Sequence, residues 1–181
     1  METLDGGWTV IQKRVDGSVG FDRIWTDYKN GFGVPDQEVW IGNDVIHQLT
    51  KGNDSSLYVS ITQVDGTTLF ELYGRFSVSD EAENYQLFMD GPAIGTLGDR
   101  MLNVSSGDTL SGMFFTTPDR DNDRNPVGSC AVRNRGGWWF NYCHDAYFNG
   151  PWGSTIWSQP WFPLIVDGRD VRGTLMMVKR V

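Results

Sequence analysis

The chain has 181 residues, with 23 Asp plus Glu against 15 Lys plus Arg and a formal charge of −8. That balance repels a polyphosphate backbone and excludes nucleic acid as a partner, and no apolar run approaches the roughly 18 residues needed to cross a bilayer, so membrane insertion is not expected. The length suits one domain with a real core, and the two cysteines, Cys130 and Cys143, read first as a local disulfide formed in an oxidising, secreted setting.

In chain order, Phe21, Ile24, Trp25 and Tyr28 recur at i, i+3, i+4 and i+7 and predict a core-facing helix ended by Asn30-Gly31. Asn43 is placed to cap a shorter helix that carries Val45, Ile46 and Leu49, with His47 inside it as a structural surface residue. From Leu57 the period becomes two: Leu57, Val59 and Ile61, a turn at Asp65-Gly66, then Phe70 and Leu72 running on to Phe76 and Val78. That pattern is an antiparallel hairpin. Tyr85, Leu87 and Met89 alternate again, and the last strand, at about 174–181, returns to the sheet. The fold class is therefore α+β, with a central sheet-and-helix lobe over 1–100 and a loop-rich lobe over 101–181. Sequons at Asn53 and Asn103 agree with secretion.

The acidic run from Asp119 to Asn125 offers hard oxygen donors that suit calcium. It is not an EF-hand: counted from Asp119, Arg124 stands where the glycine belongs and Cys130 where the bidentate glutamate belongs. Two readings stay open from spacing alone. One is a bespoke calcium loop built on Asp121, Asp123 and downstream carbonyls; the other is a solvated acidic turn. Neighbouring carboxylates on one turn are poorly delivered for glycoside hydrolysis, which needs two groups about 5 to 9 Å apart across a cleft. Cys143 and His144 are adjacent, so in extended backbone they point apart, which argues against a thiol and its base; zinc spacing is also lacking. No residue set offers a nucleophile with an oriented base, and an enzyme is not expected. With the disulfide closed, Trp138, Trp139, Phe140, Tyr142, Tyr147 and Trp152 predict an aromatic-lined cleft, with Trp138 and Trp139 divided between core and cleft.

The segments "GGWTVIQKRVDGSVGFDRIW", "YKNGFG", "VWIGNDVIHQLT", "DRDND", "GSCAV" and "GGWWFNYCH" fall in the order and spacing of one family. Nearly the whole chain resembles the fibrinogen C-terminal-like, or fibrinogen-related, domain. The resemblance implies a twisted, mainly antiparallel sheet with short helices and a calcium- and ligand-binding lobe. It also implies that an N-terminal subdomain belongs ahead of Met1 and is missing from this stretch, and that the full-length protein is an oligomer. By the same likeness calcium is held by the side chains of Asp121 and Asp123 and by main-chain carbonyls near Asn125 and Val127. The Tyr142–Cys143 peptide is expected to be cis, aiming the N–H groups of Cys143 and His144 at an acetyl group. Asn134 stands where relatives place a pocket wall, and the shortened stretch 150–157 leaves Trp152 to replace a pocket tyrosine. The implied ligand-binding set is Asn134, Tyr142, Cys143, His144, Tyr147 and Trp152. The implied function is a secreted, calcium-dependent innate-immune lectin of the ficolin and tachylectin type, recognising acetylated sugars on microbial or host glycans. The alternative is a protein-binding fibrinogen-like module whose partners are secreted proteins.

Overall fold

A computed structural model describes residues 7–52, 55–102, 109–154 and 160–181; both sequon asparagines, Asn53 and Asn103, lie outside them. One seven-stranded sheet organises the chain, in the order β2-β3-β1-β7-β4-β5-β6, and every pairing is antiparallel. Its strands are β1 (Thr9–Arg14), β2 (Phe32–Gly33), β3 (Val39–Trp40), β4 (Ser55–Gln63), β5 (Thr68–Val78), β6 (Leu87–Gly95) and β7 (Val171–Arg180). The helices are α1 (Trp25–Asn30), α2 (Asn43–Thr50) and α3 (Cys130–Asn134). This is the expected α+β class. The last strand does return to the sheet, starting at Val171, three residues earlier than the alternation suggested, and it enters between β1 and β4.

Helix α1 is shorter than its apolar stripe. Phe21, Trp25 and Tyr28 are buried, but Ile24 is half exposed in the N-cap position. The helix is started from elsewhere: Asp119 Oδ1 accepts the Trp25 N–H at 2.8 Å, supplying the cap that Ile24 lacks. It stops at Gly31, where φ is 89° and a Cβ would lie 2.6 Å from the Ile41 carbonyl oxygen, so only glycine fits. In α2 the expected cap is also replaced. Gly42 occupies the cap position, and buried Asn43 turns inward, its Oδ1 accepting from the Trp40 indole N–H at 3.0 Å. An indole N–H in the core needs a partner, and Asn43 serves that need instead of the helix. Ile46 is buried, Val45 is exposed, and His47 Nδ1 sits 2.9 Å from the Val78 carbonyl.

Leu57, Val59 and Ile61 face the core as predicted, but β5 changes face partway along. Glu71 and Tyr73 point inward in its first half and Phe76 and Val78 in its second, while Phe70 and Leu72 are only partly buried. Between Tyr73 and Arg75 the β5–β6 register slips by one residue, beside Gly91 at φ 90° and Pro92, which presses on Gly74. A bulge of this kind rotates the strand and swaps its faces.

Against the inner face packs an aromatic core drawn from both halves of the chain. The Trp139 ring lies 5.1 Å from Phe115, 6.0 Å from Trp40 and 6.4 Å from Phe76, and its N–H donates to the Tyr85 carbonyl at 2.8 Å. Trp138 is equally buried, so the two tryptophans are not divided between core and cleft: the Thr116–Trp138 bridge draws the strand-like segment under the sheet and covers both faces of it. Trp161 is buried too, donating to the Gly98 carbonyl at 2.9 Å. Among the described residues regular structure is sparse between 101 and 170, and these rings take its place in holding the loops to the sheet.

Candidate functional site

Cys130 and Cys143 are joined by a disulfide with Cα atoms 5.5 Å apart, so Cys143 carries no thiol for His144 to activate. Ser129 begins α3, its side chain accepting the Val132 N–H at 3.3 Å. The acidic loop is tied to this bridge. Asp123 Oδ2 accepts the Cys130 N–H at 2.7 Å and its Oδ1 the Asn125 N–H at 2.8 Å, while the Arg124 N–H donates to the Asn141 carbonyl at 3.1 Å. Asp121 in turn accepts the Asp123 N–H at 3.2 Å, and Asn125 Oδ1 accepts the Val127 N–H at 3.2 Å. Burial pushes the Asp123 carboxyl above its ordinary value and the neighbouring Asp121 charge adds to this, against the lowering effect of its two N–H partners. Two hard-oxygen groups that repel each other on a loop braced by backbone bonds fit a calcium ion. Among the described residues no group of three or more His, Cys, Asp and Glu forms a metal cluster, so carbonyl oxygens would have to complete such a site. Asp119 belongs elsewhere, capping α1 and accepting from the Thr117 hydroxyl.

The chain reverses just after Tyr142 without a cis bond. Among the described residues the cis peptide is Phe162–Pro163, and Tyr142–Cys143 is trans; Cys143 makes the turn with φ at 20°, and its carbonyl accepts the Asn141 N–H at 3.0 Å. Tyr142–Cys143 is thus not the cis bond that the family likeness implied.

His144 lies folded onto rings, 4.8 Å from Tyr147 and 5.9 Å from Phe140, with its buried Nδ1 unpartnered. Burial, followed by repulsion from Arg133, lowers its pKa to about 3. The imidazole is neutral at physiological pH. Because the unfolded chain takes a proton near pH 6.5 and the folded one resists until far lower, stability is full above about pH 6.5 and falls as the pH drops below it. Urea unfolding at pH 7.5 and 5.5 should show a loss of up to about 1.4 kcal/mol that His144→Gln removes; an unchanged pH dependence in the variant would contradict it.

The predicted ligand residues do not converge. Asn134 is 1% exposed: it ends α3 inside the fold, and its carbonyl accepts the Tyr147 hydroxyl at 3.3 Å, so it cannot be a pocket wall. Tyr147 is buried and Tyr142 is 59% exposed. Tyr147 and Trp152 share a cavity of about 20 Å³ with Arg14, Phe148 and Val171, a space suited to a water molecule rather than a sugar. Trp152 also faces a cavity of about 200 Å³ with Arg14, Phe21 and Arg135. Asn134, Tyr142, Cys143 and His144 line neither.

What the sequence reading missed is the polar frame behind this region. Buried Glu38 collects four backbone N–H groups, from Val15, Asp16 and Gly17 on Oε1 and from Val19 on Oε2, at 2.8 to 3.0 Å. It stands 3.6 Å from buried Arg14, whose guanidinium donates to the Gly150 carbonyl at 3.1 Å and lies 4.0 Å over the Phe21 ring. Gln12 donates to Asn149 Oδ1 at 3.2 Å, and Asn149 donates to the Gly137 carbonyl at 3.0 Å. The tryptophan-rich segment is thus fastened to β1 by buried hydrogen bonds.

Together these features define an α+β domain in which one antiparallel sheet carries a disulfide-closed, acid-bearing loop lobe. The model of the fibrinogen beta and gamma chains' C-terminal globular domain matches residues 1–178, and this chain belongs to that family. It is 49% identical to bovine (Bos taurus) fibroleukin over 150 residues and 46% identical to human (Homo sapiens) fibroleukin over 151, in each case 83% of this chain and 34% of the relative. The chain therefore spans about a third of the length of the fibroleukins it matches. Its structure is similar to the fibrinogen-like globe domain of human ANGPTL2 (TM-score 0.85, 35% identity, 99% of this chain and 82% of that one). It is also similar to the corresponding ANGPTL6 domain (TM-score 0.87, 34% identity, 99% and 81%). A third similar structure is the lamprey fibrin D-dimer complexed with the peptide Gly-His-Arg-Pro-amide (TM-score 0.84, 33% identity, 99% and 63%). Among the described residues no helix is long and apolar enough to cross a membrane.

Proposed function

We propose that this domain is an extracellular protein-recognition module that takes a polypeptide segment on the face around the Cys130–Cys143 bridge. The observation that carries the reading is the surface there: Tyr142, Val132 and Val127 are 59%, 58% and 82% exposed, all within three residues of a bridged cysteine and next to the loop bearing Asp121 and Asp123. An exposed apolar surface of this kind suits a peptide that brings an aliphatic or aromatic side chain. The peptide-bound lamprey relative supports the ligand class. Glycan recognition is the weaker reading: the burial of Asn134 and the packing of the His144 imidazole against Tyr147 do not favour an acetyl site there.

Calcium belongs to the same proposal. Asp121 and Asp123 would hold it, with carbonyls near Asn125 and Val127, and when bound it supplies positive charge that relieves the carboxylate repulsion. Secretion follows from the disulfide, which persists in oxidising compartments.

The test is a paired screen in calcium: a glycan array and a pull-down from secreted proteins. A protein partner that is lost on Tyr142→Ala plus Val132→Ala, with the array silent, is the expected result. Acetylated-sugar binding that survives those changes and disappears with His144→Ala would overturn it.

A further inference from the structure

The sheet has a second face, turned away from the ring core, and the strand registers define what it carries. One row runs Val10, Met177, Tyr58, Leu72, Ile94 across five strands. The next runs Lys13, Leu175, Ser60, Phe70, and a third pairs Gly173, Thr62 and Thr68. Tyr58 stacks on Phe70 at 5.7 Å and meets Trp8 edge-on at 6.0 Å. These side chains are mostly half-buried, and Ile94 is 61% exposed. None of the three rows contains an acid. Lys13 and Lys179 share this face and Arg172 stands beside the third row, and none of the three forms an ion pair with a described residue. A groove of about 420 Å³ is lined here by Lys13, Tyr58, Ser60, Thr62, Thr68 and Arg172. Asp65 in the hairpin turn and Asp170 just before β7 lie beyond the rows. In a chain with a net charge of −8, this face is a local inversion of sign.

We propose that this outer face is a second docking surface, separate from the disulfide face, and that it binds an acidic peptide segment carrying an aromatic or aliphatic anchor. Carboxylates would pair with Lys13 and Arg172, neither of which is in an ion pair with a described residue; the Lys13 ammonium donates to the Asp36 carbonyl at 3.3 Å, an exposed bond that a carboxylate would outcompete. The anchor would cover Tyr58, Phe70 and Leu72, and the Ser60, Thr62 and Thr68 hydroxyls would meet the peptide's amides. A second copy of this chain is the poorer occupant, because a two-fold pairing sets the same cations against each other. A sulfated polysaccharide would use the cations but leave the aromatic floor without a partner.

The experiment is panning of a random twelve-residue display library against the folded domain, followed by affinity measurement on Lys13→Glu plus Arg172→Glu and on Tyr58→Ser. Clones lost on the charge-reversed variant should be net acidic with at least one apolar residue, and should weaken at least tenfold on both variants. Circular dichroism checks folding; if the reversal unfolds the domain, Lys13→Gln plus Arg172→Gln replaces it, with the same expectation. The proposal is overturned if the lost clones are neutral or basic, if no clone depends on these residues, or if heparin binds this face and acidic clones do not. A sedimentation shift to dimer that is abolished by the charge variants would also overturn it, in favour of self-association. Because Tyr142→Ala leaves this face intact, failure here and failure at the disulfide face are read separately.

Discussion

Replacing Glu38 with alanine is expected to destabilise the domain by about 3 to 5 kcal/mol, the usual loss when one member of a buried ion pair is removed. Two losses combine. Arg14, already depressed by burial and held up by Glu38, would keep its charge without a counter-charge. The four N–H groups of Val15, Asp16, Gly17 and Val19 would lose their acceptor in a partly buried loop. The melting temperature should fall on the order of 10 °C for a domain of this size. Glu38→Gln should lose less, because an amide oxygen still accepts. The effect depends on pH with a definite sign. Burial raises the Glu38 pKa, its four backbone bonds outweigh that, and the net shift is downward; its stabilisation is therefore present above the ordinary carboxylate range and is lost as the pH falls through the folded value. The gap between the melting temperatures of wild type and Glu38→Ala should therefore narrow as the pH falls below the ordinary carboxylate range. A variant that melts within 2 °C of wild type at pH 7 would show that the four N–H groups find water without cost.

That carboxylate also shows where sequence reading stops. The stretch around it, "VPDQEVW", looks like a turn leading into a strand, and nothing local announces that Glu38 is buried, since its partners lie about twenty residues earlier. Leu57, Val59 and Ile61 are legible because alternation alone decides their face in a strand covered on one side by core. Phe70 and Leu72 are not, because a bulge at Gly91-Pro92 on the neighbouring strand turns β5 over. The same contrast holds at the site. The cysteine pair and the acidic loop are local features, and their joining through Asp123 and the Cys130 N–H agrees with what their closeness suggests. The pocket is different: whether Asn134, His144 and Trp152 meet depends on how the backbone reverses at Cys143 and on which rings the core has already claimed. Family likeness supplied the fold, and the arrangement of the ligand residues rests on long-range packing that likeness alone does not specify.

Exchanging both cysteines for serine should cost about 3 kcal/mol, the loss of chain restraint for a loop of this size, with a sequence separation of 13. A second consequence follows from the bond between the Cys130 N–H and Asp123 Oδ2. In the bridged protein α3 holds that carboxylate in place before any cation arrives, and without the bridge a cation would have to order the loop itself. Calcium at a hundred times its Kd stabilises a protein that binds it only when folded by about 2.7 kcal/mol, which is roughly 5 to 10 °C here. In wild type that rise should appear on adding calcium and vanish with EDTA. In Cys130→Ser plus Cys143→Ser at the same calcium concentration it should shrink to less than half, because the ordering cost is taken from the binding energy. Asp121→Asn plus Asp123→Asn should abolish it while retaining the disulfide. If calcium raises the melting temperature of the asparagine variant as much as that of wild type, the ion binds elsewhere. If the serine variant keeps the full rise, the bridge and the acidic loop are independent, and the bonds that knit them do not organise a cation site.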